Sequence, residues 1–115
     1  MQTTSTPHDS ALRAITGRTF DAEVLAAGLP VLVDFTTAWC PPCRAHAPIL
    51  HGLASEHAGR IEVVTVDGDA EPELAARLRV KAFPTVIAFA GGKELARHVG
   101  LTTKAKLLKL LERGS

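Results

Sequence analysis

The run Val31-Leu32-Val33-Asp34-Phe35 is apolar at every position but Asp34. Such a run forms a strand covered on both faces, as in a parallel sheet with helices above and below. A helical pattern follows from Pro42 to about His57. Ala47, Leu50, Leu53, Ala54 and His57 recur at three- and four-residue spacing, with Ile49 beside them, and Gly59 stops the helix. Pro48 lies inside this stretch and predicts a kink, because the apolar stripe continues past it. Ile61 to Val66 is a second strand. Glu71 to Leu78 is a short helix with Pro72 in its first turn, where a missing N–H is tolerated. Thr85 to Phe89 is a third strand, Gly91-Gly92 turns it, and Lys93 to Val99 returns as a hairpin. Thr103 to Leu111 closes the chain as a helix with Ala105, Leu107, Leu108 and Leu111 as its apolar members.

Ahead of the first strand, residues 1–10 read as a polar tail, Ser10 to Ile15 as a helical turn, and Asp21 as the N-cap of a short helix carrying Val24 and Leu25 and closed by Gly28. Residues 11–115 then form one domain. The order is helix-strand-helix-strand-helix-strand-strand-helix. Its crossovers imply parallel strands and right-handed connections, and its last hairpin makes the sheet mixed: an α/β fold, a three-layer α/β/α sandwich.

A chain of 115 residues and 12.2 kDa, 46% hydrophobic and 22% charged, can bury a core of its own without staples. Its net charge of +1 leaves no broad electrostatic footprint for nucleic acid or an anionic membrane. No apolar run approaches the ~18 residues of a membrane-spanning helix. Met1 to Ser10 lacks a positive leader and an apolar stretch, so a cytoplasmic location is expected. Nothing demands more than a monomer.

The two cysteines are Cys40 and Cys43. A structural disulfide gains little from so short a loop. A zinc site needs two further ligands, and His46 alone does not supply them. Covalent haem attachment needs histidine directly after the second cysteine, where Arg44 stands. What remains is a reversible dithiol. Cys40 falls at a helix N-terminus, where free N–H groups and the helix dipole favour a thiolate, the attacking species in disulfide exchange. Cys43, one turn on and more sheltered, is placed to resolve the mixed disulfide. Pro41 and Pro42 have no N–H, which leaves Cys43 and Arg44 as the nearby backbone donors. The prolines stiffen the loop toward a stable disulfide, while Pro42 pushes Pro41 away from helical angles. The bland alternative is a pair of buried, unreactive cysteines near a turn.

Asp34 alternates with Val33 and Phe35, so it shares the face of Leu32 and Thr36, under the helix that carries the cysteines. A buried carboxyl there titrates above its usual range and is suited to take the proton of Cys43. The alternative is an aspartate at a strand end, reaching solvent or a backbone N–H. Trp39 is read as part of an exposed apolar rim around Cys40, or as an anchor of the loop.

Phe35, then Trp39-Cys40-Pro41-Pro42-Cys43, Ala47-Pro48-Ile49-Leu50, Phe83-Pro84-Thr85 and Gly91-Gly92 occur in the order that resembles the thioredoxin family, from about Phe20 to Glu112. The resemblance implies a central mixed five-stranded sheet with four flanking helices. It implies a cis bond before Pro84, which faces the dithiol while the Phe83–Thr85 backbone holds the substrate; the plain reading is a trans turn proline. It assigns the proton-accepting role to Asp34 and places Gly100 near the substrate surface, where an ordinary turn is the alternative. Expected substrate-binding residues are therefore Trp39, Pro41, Pro42, Phe83, Pro84, Thr85 and Gly100, with Cys40, Cys43 and Asp34 catalytic and no metal. Electrons are expected from NADPH through a thioredoxin reductase, with no cofactor bound by this chain.

Three departures from the family pattern stand out. Pro41-Pro42 replaces the common Gly-Pro, Thr36 a frequent aromatic, and Thr65 a lysine that often partners the buried acid. His46 and His57, on or beside the apolar stripe, read as partly buried; His8, His51 and His98 read as surface residues, and Lys104, Lys106 and Lys109 as a solvated helix face. The expected activity is reduction of disulfides in other proteins. The alternatives are a more oxidising oxidase or isomerase with the same dithiol, and a non-catalytic binding module of the same fold.

Overall fold

Strand β2 (Val31–Thr36) is the middle strand of a five-stranded sheet, buried along its first five residues. The computed structural model describes residues 12–112, so the expected tail at 1–10, His8 included, lies outside the described residues. In chain order the elements are β1 (Leu12–Ala14), α1 (Asp21–Leu25), β2, α2 (Pro41–Glu56), β3 (Glu62–Asp67), α3 (Pro72–Arg77), β4 (Thr85–Ala90), β5 (Lys93–Val99) and α4 (Lys104–Leu110). The sheet runs β1-β3-β2-β4-β5. The first three strands are mutually parallel, and β4 and β5 are antiparallel to their neighbours.

Alternation along the strands separates two cores. Val31, Val33, Phe35, Val64, Val66, Ile87 and Phe89 meet Phe20 and Val24 of the α1 region and Leu74 and Ala75 of α3. On the other face Leu32, Val63, Val86 and Ala88 meet Leu50, Leu53 and Ala54 of α2 and Leu107 and Leu110 of α4. The layers are helices, sheet, helices, as expected.

The N-terminal segment departs from expectation. Leu12 to Ala14 is not helical but an edge strand, in register with Val63 to Thr65, and the Ile15 amide extends the ladder to the Thr65 carbonyl at 2.9 Å. Three residues cannot display a period, and the open edge of β3 decides their conformation. Asp21 is not a cap: Phe20 occupies that position without a side-chain bond, and α1 is wound as a π-helix that ends at Leu25, with Ala26 rather than Gly28 closing it. Burial of Phe20, edge-on to Phe89 with ring centroids 5.5 Å apart, anchors the segment, while Asp21 pairs with Arg77 at 2.9 Å. In α4 the inward residues are Leu107 and Leu110, and Ala105 faces out. Pro48 does stay inside α2.

Candidate active site

Helix α2 begins where β2 ends, across the short link Thr37 to Cys40. Cys40 is its N-cap, with extended angles, and the Cys40 sulfur accepts from the Cys43 amide at 3.2 Å. Pro41 and Pro42 occupy the first helical positions, where a helix leaves its N–H groups unpaired and their lack costs nothing. The Arg44 amide bonds the Cys40 carbonyl at 3.2 Å, so Cys43 alone of the two expected donors serves the sulfur. Cys40 and Cys43 form a disulfide, with Cα atoms 5.2 Å apart. They are equally buried at 3% exposure each, so the expected greater shelter of Cys43 does not appear in residue exposure.

Beside Cys40 lies the Phe83–Pro84 turn. Its peptide bond is cis, and the Phe83 carbonyl oxygen stands 3.6 Å from the Cys40 sulfur. In the disulfide that sulfur has no hydrogen to donate; in the dithiol the Cys40 S–H would meet an acceptor there. The Gly100 amide donates to the Pro84 carbonyl at 2.8 Å, at a φ of +97° that favours glycine. Thr85 is buried, and its hydroxyl donates to the Ala82 carbonyl at 2.6 Å, leaving only its backbone for a role at the surface. Pro41 and Pro42 are exposed. Trp39 is 65% exposed and donates its indole N–H to Asp69 Oδ2 at 2.7 Å, so it is both rim and anchored loop.

Asp34 points where its alternation predicts. It is 5% exposed, its Oδ1 has no hydrogen-bond partner, and burial pushes its pKa up to about 7. Thr65 is its neighbour on β3 and Val86 on β4. No positive charge contributes to the shift, as the threonine at 65 leads one to expect.

Several residues escaped the sequence reading. Val99 and Leu101, 56% and 51% exposed, flank Gly100 in sequence. Asp69 is set by a turn in which Asp67 Oδ1 accepts from the amides of Asp69 and Ala70. His46 is fully rather than partly buried, and neither ring nitrogen has a partner. Burial holds it below the usual histidine range, and His98 lowers it further. His51 and His98 are half-buried rather than surface residues, and Lys104 pairs with Glu56 at 2.6 Å across α4 and α2. Three open depressions of about 270–280 Å³ are lined by residues other than the cysteines. Among the described residues no group of three His, Cys, Asp or Glu is placed to hold a metal ion, and no helix is long and apolar enough to cross a membrane.

A family model described as Thioredoxin matches residues 11–113. The chain is 39% identical over 104 residues to Thioredoxin 1 of Nostoc sp., covering 90% of this chain and 97% of that protein. It is 41% identical over 102 residues to Thioredoxin of Mycobacterium tuberculosis, covering 89% and 88%. It is also 43% identical over 95 residues to the Bifunctional thioredoxin reductase/thioredoxin of Mycobacterium leprae, covering 83% of this chain and 21% of that longer protein.

Proposed function

Because the chain belongs to the thioredoxin family and is a thiol–disulfide oxidoreductase with its redox-active disulfide at Cys40–Cys43, we propose that it works in the reducing direction on disulfides of other proteins. Cys40 attacks first. The observation that carries this is its sulfur at the start of α2, accepting the Cys43 amide: a negative charge there is met by an N–H and by the positive end of the helix dipole. Attack on a substrate disulfide forms a Cys40–substrate bond and releases the first substrate thiolate. Cys43 then gives its proton to Asp34 and attacks the Cys40 sulfur. The internal disulfide closes, and the second substrate sulfur leaves with the electron pair. Asp34 suits the task because its pKa of about 7 lets it hold or release a proton near neutrality.

The substrate lies as an extended segment along the exposed rim. Trp39, Pro41 and Pro42 contribute exposed apolar surface, Pro84 is buried beside them, and the backbone from Phe83 to Thr85 and at Gly100 contributes hydrogen-bonding groups. Electrons return from NADPH through a thioredoxin reductase, a partnership supported by the relative in which the two activities share one chain. The working location is the cytoplasm. A coupled assay tests the reading: NADPH consumption in the presence of a thioredoxin reductase and insulin. Wild-type protein should sustain turnover and Cys40→Ser should lose it entirely. A wild-type protein that leaves insulin disulfides intact in this assay contradicts the proposed direction.

A further inference from the structure

His46 lies three residues after Cys43, on the same inward face of α2. Helical side chains lean toward the N-terminus of their helix, which aims the imidazole at the turn that carries Cys43. The ring is fully buried, and both nitrogens lack partners while Cys43 is held in the disulfide. His98 of β5 acts on the ring electrostatically, and Asp34 of β2 stands in the same cross-strand row as His98, with Val86 between them. A neutral imidazole carries one N–H donor and one acceptor nitrogen, and a buried donor left without a partner destabilises the state that leaves it so.

We propose that His46 is a positioning residue for the dithiol: its ring N–H bonds the sulfur of Cys43 in the reduced protein and loses that bond when the disulfide closes. Reduction breaks the Cys40–Cys43 bond with two electrons from an external dithiol. The freed Cys43 sulfur, as thiol or thiolate, has the lone pairs to accept the imidazole N–H. The bond favours the reduced form, so His46 raises the reduction potential of the couple. This opposes the stiffening of the loop by Pro41 and Pro42. The inference rests on reversible cycling of the Cys40–Cys43 pair.

Equilibration with glutathione buffers reads the effect directly. His46→Leu should shift the equilibrium about tenfold toward the disulfide, equivalent to ~30 mV for a two-electron couple. His46→Gln, which keeps an N–H donor, should stay closer to wild type than His46→Leu. An unshifted His46→Leu, a shift toward the dithiol, or equal shifts in both variants would overturn the inference. A wild-type protein that did not exchange with glutathione at all would instead remove the cycling on which it rests. A second measurement needs no variant. The ring 15N resonances of His46 in the wild-type protein should move on reduction, and identical resonances in the two redox states would equally overturn the proposal.

Discussion

In the folded protein the Asp34 carboxyl holds its proton until about pH 7, against an ordinary value of 3.8, because burial penalises its charged form. Between those values the native state binds a proton that the unfolded chain has released, so stability falls as pH rises through this window. The full cost is on the order of 4 kcal/mol above pH 7. Asp34→Asn removes it. The oxidised variant should exceed wild type in stability at pH 8 by roughly 2–4 kcal/mol and lose that advantage near pH 4, by urea denaturation at the two pH values. An advantage that did not change with pH would show that the carboxyl is not buried in its charged form. Asp34 was legible in the sequence because a carboxylate within an apolar strand is an anomaly with few explanations. The cysteines were legible because their spacing excluded the common alternatives. His46 was not, because a histidine on an apolar stripe fits half-exposure as well as burial, and only sheet register brings His98 toward it. Asp69 was hidden for a similar reason: its partner Trp39 stands 30 residues away, across a turn made by Asp67.

Elements long enough to show a period were read correctly, and β2, α2 and β5 fell within a residue or so of their observed ends. The failures were short elements whose conformation is set by what they touch. β1 exists because β3 has an open edge, and α1 is anchored by Phe20 rather than by a cap. The loop after β3 illustrates how neighbouring elements hold the Phe83–Pro84 turn. The Gly68 amide bonds the Thr36 carbonyl at 2.8 Å, and a Cβ at this position would overlap the Phe83 ring. Gly68→Ala should therefore cost about 1–3 kcal/mol and displace the turn beside Cys40, lowering kcat/KM for insulin reduction. Gly28→Ala, where nothing lies within 4 Å of the added carbon, should leave kcat/KM unchanged. Equal kcat/KM for the two variants would show that the turn is not held through Gly68.

Across the whole molecule the sheet keeps two apolar cores apart, and α2 belongs to the one shared with α4. The parallel order and the layers followed from the alternation of elements. The fifth strand did not, because the residue reading found only four and the family resemblance supplied the other. Leu53, fully buried on α2, tests the packing: Leu53→Ala should lower stability by about 2–5 kcal/mol in urea while the remaining folded protein keeps its disulfide chemistry. A loss under 1 kcal/mol would mean that α2 is not held by this core. Such a scaffold fixes one end of α2 against the cis-Pro84 turn, with Trp39, Pro41 and Pro42 exposed beside the dithiol. The most direct test is the intact mass of Cys43→Ser after mixing with a disulfide-bonded protein. The expected result is one substrate chain joined to Cys40 and released by dithiothreitol. A variant that turned over at the wild-type rate, or stayed free of adduct while wild type reduced the same substrate, would contradict the assignment of Cys40 as nucleophile and Cys43 as resolving thiol.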